Sequence, residues 1–205
     1  EKGGNFLKKL TADFYKRDTL IVAKELIGKY IVHRVKEKNL VCRITETEAY
    51  TGVEDKACHA YQNRRTNRTE ALYMEGGHAY VFLIYGMYDC MNVVTEEKNT
   101  PCAVLLRGCQ PISPLDALAQ QRYQKTYQQL TNYQKKNFGN GPGKLAKALA
   151  ITREQNKASL LSEEFFLFEK EEDLPPVIGT SPRINIDYAE EYKEKHWRFF
   201  EVGSV

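Results

Sequence analysis

At 205 residues the chain is long enough for one domain with a full core and too short for two comfortable ones. Its 42% hydrophobic content is ordinary for a globular protein, no signal-peptide pattern is visible, and no apolar run approaches the ~18 residues of a membrane-spanning helix. A formal charge of +3 does not by itself demand a polyanionic partner, and five cysteines without C-x-x-C spacing suggest neither a disulfide frame nor a zinc site; Cys42, Cys90 and Cys102 fall in apolar strand patterns and are expected to be buried thiols, which points to a reducing compartment.

Residues 1–11 are expected to form a flexible tail ahead of a single domain over 12–205. Asp18 followed by Thr19–Ile27 reads as a capped helix that Gly28 ends. Lys29–Val35 alternates as a strand, Lys36–Asn39 is a polar turn, and a second strand runs from Leu40 to Glu48, completing a hairpin. Strand residues two apart share a face, so Leu40, Cys42, Ile44, Glu46, Glu48 and Tyr50 are expected to line up. A core face that turns acidic and then aromatic is running into a pocket. A buried, unpartnered carboxylate costs several kcal/mol, so Glu48 needs a reason to be there. The competing reading is a bulge that leaves both glutamates in solvent.

Residues 51–78 form a long polar loop with one helical turn around Thr69–Met74; loops of that length in compact domains are usually functional. Within it Arg64, Arg65 and Arg68 alternate with Asn63, Thr66 and Asn67, the donors that phosphates need. Ala79–Tyr85 and Tyr88–Thr95 are strongly β runs separated by Gly86-Met87. Their parity sends Tyr80, Phe82 and Ile84 to one face of the hairpin and Tyr88, Cys90, Asn92 and Val94 to one face of its partner, so Phe82 and Asn92 are expected to share a cavity. Tyr85 and Met87 put bulk at a turn tip, where polar residues are usual. Such a tip either caps a core or serves as a wedge between base pairs.

Pro101–Arg107 reads as another strand, and Ser113-Pro114-Leu115-Asp116 as a helix start with Ser113 as the cap, the helix reaching Gln121. Residues 122–140 are expected to be a mobile polar loop. Gly141-Pro142-Gly143 then opens a short helix, Lys144–Ala150, with Lys144 placed to hold a phosphate. Phe165–Phe168 and Trp197–Val202 are late strands. Basic clusters (the arginine segment, and Lys135, Lys136, Lys144, Lys147) are separate in sequence from the acidic run Glu163–Asp173, an electrostatic footprint that suits nucleic acid. Strands dominate without regular β-α-β alternation. The expected fold is therefore α+β: one domain, a mostly antiparallel curved sheet with surrounding helices, and a protruding β-hairpin.

Six motifs occur in order: Thr45–Tyr50 (TETEAY), Asp55–His59 (DKACH), Asn63–Arg68 (NRRTNR), Tyr80–Asn92 (YVFLIYGMYDCMN), Ala103–Arg107 (AVLLR), and the pair Gly141–Leu145 (GPGKL) with Ser181–Ile184 (SPRI). Together they resemble the alkyladenine (3-methyladenine) DNA glycosylase family, of the mammalian alkylpurine type, from about residue 12 to the C-terminus. The resemblance implies a monofunctional enzyme, without redox cofactor or catalytic metal, that flips damaged purines out of duplex DNA and hydrolyses the N-glycosidic bond. It implies Glu48 as general base and Arg107 beside the catalytic water. Tyr50, His59 and Phe82 would pack on the flipped base, Phe82 standing where the mammalian type has a tyrosine. Asn92 would exclude the guanine 2-amino group, and Tyr85 would intercalate with Met87 beside it. The expected partner is double-stranded DNA carrying 3-methyladenine, 7-methylguanine, hypoxanthine or ethenoadenine, bound by a monomer with no membrane association, in the cytoplasm at the nucleoid in a bacterium or in the nucleus in a eukaryote. Two rival readings come from other classes. One is a carbohydrate glycosidase using Glu48 and Asp55 as its carboxylate pair; the other is a non-enzymatic binder that kinks DNA with Tyr85 and Met87.

Overall fold

The computed structural model describes residues 7–204. In chain order the elements are β1 (Leu7–Lys9), α1 (Ala12–Tyr15), α2 (Thr19–Glu25), β2 (Tyr30–Val35), β3 (Lys38–Tyr50), β4 (Ala79–Ile84), β5 (Tyr88–Thr95), β6 (Cys102–Ser113), α3 (Leu115–Tyr123), α4 (Asn132–Lys136), β7 (Gly139–Asn140), α5 (Pro142–Ala148), β8 (Phe165–Lys170), β9 (Ile178–Ser181) and β10 (Arg198–Glu201), with short 3-10 turns between them. All the strands join one antiparallel sheet. Its main path is β1-β8-β2-β3-β6-β5-β4, with β10 pairing β3 and β9, and β7 pairing β6. The α+β expectation holds.

Of the expected N-terminal tail, residues 1–6 lie outside the described residues, whereas Leu7–Lys9 pair with Phe168–Lys170 as a sheet edge. The α2 helix begins as its sequence dictates: the Asp18 carboxylate accepts from the N–H groups of Leu20 and Ile21. It lays Val22, Ala23 and Leu26 on one face of the sheet, where Ile31, Leu40, Ile44, Val81, Val93, Val104 and Leu106 meet them with α3 and α5. Each such side chain, once fully buried, stabilises the fold by about 1.5–3 kcal/mol. The opposite face carries a smaller cluster of Cys58, Leu72, Tyr73, Tyr80, Val94 and Ala103, with Tyr50 and Phe82 packed against it.

Three expectations are corrected. Ser113 is the last residue of β6 and not a helix cap; α3 follows Pro114 without a side-chain cap and runs on to Tyr123. The strand expected to stop at Arg107 continues to Ser113 because β3 is long enough to pair with it throughout. The segment 122–140 is ordered by two Thr-x-x-Gln capping boxes, Thr126/Gln129 and Thr131/Gln134, and is anchored by Leu130 and Phe138, both buried in the main core.

The decisive feature lies in β3. Its pairing with β6 slips between Ile44 and Glu46 and slips back between Glu46 and Thr47, so Thr45 of β3 and Arg107 of β6 are each left without a partner, a bulge on both strands. A bulge inverts side-chain parity beyond it. Leu40, Cys42 and Ile44 face the main core, and so does Ala49; the Thr47 hydroxyl donates to the Ala23 carbonyl of α2 on that side. Glu46, Glu48 and Tyr50 are thereby turned to the other face. Opposite the bulge sits Gly108, where a Cβ would come within 2.9 Å of the Glu46 Cβ and 3.0 Å of the Thr45 Oγ1. The single face expected from Leu40 to Tyr50 is thus broken. So is the rival reading: the bulge exists, yet Glu46 and Glu48 are 4% and 0% exposed.

Candidate active site

Glu48 sits where β3 is hydrogen-bonded on both flanks, opposite Leu105 of β6 and Arg198 of β10. Its Oε2 accepts from the Tyr50 hydroxyl at 2.8 Å, and its Oε1 from the Ile184 N–H at 2.8 Å, with Arg107 Nε at 3.5 Å. Burial pushes the carboxyl up from its ordinary range, and Arg107, the Ile184 N–H and the Tyr50 hydroxyl oppose that rise only in part. The same burial, together with the Glu48 charge, pushes the Tyr50 phenol well up, so the hydroxyl is held as a donor.

Beside this carboxylate lies a cavity of about 920 Å³. Tyr50, His59, Tyr80, Phe82, Asn92, Leu105, Arg107 and Lys144 line it, and Tyr85, Met87 and Tyr88 of the β4–β5 hairpin form part of its rim. The expected parity of that hairpin holds, since Phe82 and Asn92 share this space. The cavity walls include Tyr50 and Arg107 but not Glu48, whose side chain is fully covered behind them. His59 and Phe82 touch edge to face, with ring centroids 4.6 Å apart, so no flat ring fits between them. His59 Nδ1 shares a hydrogen bond of 2.9 Å with the Tyr80 hydroxyl. Desolvation, aided by the nearby Arg68 charge, takes His59 down to about 4, so it is neutral at pH 7. Asn92 donates its Nδ2 to the Tyr80 carbonyl at 3.1 Å, which fixes the amide at the cavity wall.

The hairpin tip is exposed: Tyr85 is 75% and Met87 66% accessible. Met87 N–H closes the turn onto the Ile84 carbonyl, and both central residues, Tyr85 and Gly86, have positive φ. Glycine adopts that conformation freely; a tyrosine there is strained. The core-capping reading of this tip fails, because neither side chain is buried.

The basic residues divide. Arg64 is exposed and free of ion pairs among the described residues. Arg65 is committed to a two-pronged pair with Glu70, at 2.9 and 2.7 Å, and lies over the Tyr73 ring. Arg68 lies 5.4 Å over the Phe82 ring, at the edge of the aromatic cluster. The Gly141 N–H donates to the Arg107 carbonyl, which fixes the start of α5 and Lys144 beside the same cavity.

Three residues that frame the site were given no role from sequence. Arg183, fully buried, grips Asp55 with NH1 to Oδ2 at 2.6 Å and NH2 to Oδ1 at 2.9 Å; NH1 also donates to the Ala49 carbonyl. This clamp places the next residue, Ile184, against Glu48. Its signal was the SPRI motif, read there as resemblance only. The clamp also removes the Glu48/Asp55 pair of the carbohydrate reading, since Asp55 is fully buried and both its oxygens are spent on Arg183 and on backbone N–H groups. Glu46 and Arg198 are the other two: Glu46 Oε1 accepts from Arg107 Nε at 3.1 Å and from Arg198 Nε at 2.5 Å. Among the described residues, no group of three or more His, Cys, Asp or Glu side chains is placed to hold a metal ion, and no helix is long and apolar enough to cross a membrane.

Comparison with known proteins agrees with this geometry. The family model for methylpurine-DNA glycosylase matches residues 13–205. A protein of Clostridioides difficile (strain 630) is 46% identical over 200 residues, covering 92% of this chain and 98% of its own length. One from Clostridium novyi (strain NT) is 47% identical over 194 residues, covering 95% of each chain. One from Natranaerobius thermophilus is 46% identical over 193 residues, covering 94% of each. All three bear the name "Putative 3-methyladenine DNA glycosylase". The chain belongs to the methylpurine-DNA glycosylase family, hydrolases that act on N-glycosyl bonds.

Proposed function

We propose that this enzyme excises alkylated purines from duplex DNA after rotating the nucleotide out of the stack, with Glu48 activating the attacking water. The observation that carries the reading is a desolvated carboxylate, Glu48, immediately behind the aromatic wall of a cavity whose rim is an exposed Tyr85–Met87 tip. As the C1′–N bond breaks, positive charge develops on the sugar, and an ionised carboxylate nearby stabilises it. Water oxygen bonds to C1′, Glu48 takes the water proton, and the bond electrons leave with the purine, so a cationic alkylated base departs neutral. An abasic sugar remains. For the water to reach Glu48, the Tyr50 hydroxyl or the Arg107 guanidinium must yield on DNA binding.

Tyr50, His59 and Phe82 supply π faces, worth about 1–3 kcal/mol per stacked base and nearly indiscriminate. A cationic base gains roughly 0.5–2 kcal/mol more from such rings. A neutral His59 suits this cargo, since an imidazolium would repel it. Exclusion falls to Asn92. Tyr85 and Met87 fill the space the nucleotide leaves, and Arg64 and Lys144 hold phosphates, with Arg68 divided between that role and the base pocket. The cationic lesions 3-methyladenine and 7-methylguanine are the preferred substrates, and hypoxanthine and ethenoadenine, being neutral, are slower. The enzyme acts as a monomer.

The test is excision of 3-methyladenine from alkylated duplex DNA. Wild type releases the base. Glu48→Gln binds lesion DNA but loses about 10²–10⁴-fold in rate, the usual range for a lost general base. Equal release by that variant removes Glu48 from the chemistry. Binding without release by the wild type returns the chain to the DNA-kinking reading.

A further inference from the structure

Strand β3 carries two buried carboxylates, and the mechanism above uses one. Glu46 belongs to a row of four alternating charges, Arg198–Glu46–Arg107–Glu48, whose side chains are 14%, 6%, 15% and 0% exposed. Arg107 stands between the two carboxylates. Its Nε carries one proton, which goes to Glu46 at 3.1 Å; Glu48 Oε1 is 3.5 Å away. The Glu46 oxygen that takes this proton is also held by Arg198 Nε at 2.5 Å, and Arg198 in turn is pinned through NH1 to the Ser181 hydroxyl at 2.9 Å. Glu46 is fixed by strand pairing as well, opposite Gly108 on β6 and Phe200 on β10.

We propose that Glu46 is a positioning residue for the hydrolysis: anchored by Arg198, it holds the Arg107 guanidinium and stops it from closing onto Glu48, so that only the Tyr50 hydroxyl has to yield before Glu48 takes the water proton. The inference rests on the reading of Glu48 as general base. A carboxylate gripped bidentately by arginine is a charge-assisted pair and a weaker base. Asp55, a few residues beyond Glu48 and clamped by Arg183, shows what full commitment looks like in this fold.

The groups facing Glu48 can all be named. Tyr50 and Glu46 come from its own strand, Arg107 from β6, and the Ile184 N–H from the segment after β9. Arg198 of β10 acts through Glu46. Farther out are Tyr188 and Arg183, the latter neutralised by Asp55. Burial raises the proton affinity of Glu48, Arg107 lowers it, and Glu46 raises it again. Removing the Glu46 charge should therefore lower the Glu48 titration midpoint, and removing Arg198, which lets Arg107 close onto Glu48, should lower it too.

The experiment follows the Glu48 side-chain carboxyl by 13C NMR in glutamate-labelled full-length protein, the resonance being assigned by its loss in Glu48→Gln. Glu46→Gln, nearly isosteric, is expected to move the midpoint down by about 1 pH unit, the lower end of what one nearby charge does. Arg198→Gln, which takes the anchor from Glu46 and releases Arg107 toward Glu48, is expected to move it down as well. A folded Glu46→Gln protein whose midpoint stays put or rises overturns the proposal. If that variant does not fold, Arg198→Gln decides alone: a fall supports the proposal, and no movement or a rise overturns it. A Glu46 acting through its charge alone would also lower the midpoint when neutralised, but Arg198→Gln would then raise it; the fall expected in Arg198→Gln is the readout that only a held Arg107 gives. The titration needs no turnover, so it remains readable if wild-type excision fails, an outcome that would count against the proposed function and not against the charge relay.

Discussion

Asp55→Asn tests whether the buried clamp is scaffold or chemistry. In the native protein Asp55 Oδ2 takes Arg183 NH1 at 2.6 Å and the Thr51 N–H at 3.1 Å, while Oδ1 takes Arg183 NH2 at 2.9 Å and the Ala57 N–H at 3.0 Å. Four donors converge on two oxygens. Asparagine keeps one oxygen and turns an NH2 toward the other pair of donors. It also leaves the Arg183 charge unpaired at 0% exposure. Removing one partner of a buried ion pair costs about 3–5 kcal/mol. In a chain of this size each kcal/mol lowers the melting temperature by roughly 2–4 °C, so a drop of about 6–20 °C is expected. Adding Arg183→Met should recover part of the loss, because the orphaned charge goes with it. Thermal melts and single-turnover excision well below the transition provide the assay. Excision per folded molecule should fall by less than the ~10²-fold minimum for a lost general base. A variant that melts like wild type yet has lost excision would refute the reasoning and put Asp55 into the reaction.

Tyr85→Gly relieves the positive φ at the hairpin tip, so the melting temperature should hold or rise, by the equivalent of up to about 1 kcal/mol. Lesion-DNA affinity should fall about thirtyfold, the ~2 kcal/mol of an aromatic hot spot, and unchanged affinity in a gel-shift titration would rule out the wedge. Asn92→Ser loses the bond to the Tyr80 carbonyl and shortens the side chain, so excision should extend to bases bearing a 2-amino group; an unaltered release profile would count against exclusion by Asn92. His59 titrates near 4 in the fold and near 6.5 when unfolded, so the unfolded chain takes the proton first. Its contribution to stability is fully present above about pH 6.5 and is lost as the pH falls toward 4. His59→Gln should flatten the decline of melting temperature across that window, and parallel curves for the two proteins would contradict the assignment.

The hairpin β4–β5 was legible because an uninterrupted strand keeps its period of two: Phe82 and Asn92 reached one cavity as their parity requires. The same rule failed one strand earlier. Nothing in Ile44–Thr47 announces a bulge, and the slip there, matched at Arg107 of β6, reverses every side chain after it. Glu48 was singled out by its chemistry, and its face was misjudged. The ordered segment around α4 was misread although its capping boxes were written in the sequence as Thr-x-x-Gln. Its glutamines and tyrosines suggested solvent, while Leu130 and Phe138 were the anchors that mattered. Arg65 looked like Arg64 and Arg68 because a linear reading cannot see which arginine has Glu70 for a neighbour. Glu46, Arg183 and Arg198 escaped for a related reason: their partners lie on other strands or loops, 61 to 152 residues away.

Carrying the carboxylate on a strand stitched on both sides has a kinetic corollary. Loops can lean in toward a bound molecule; a residue inside a ladder, with β6 on one flank and β10 on the other, cannot advance without unzipping its neighbours. On the proposed reading of Glu48 as general base, the travelling is then done by the nucleic acid, which would have to bring its sugar all the way to a stationary oxygen. Turnover in such a machine is governed by how readily a given lesion lets go of its own helix, and a lesion opposite a loosely paired base should be processed sooner than the same lesion in a firm duplex.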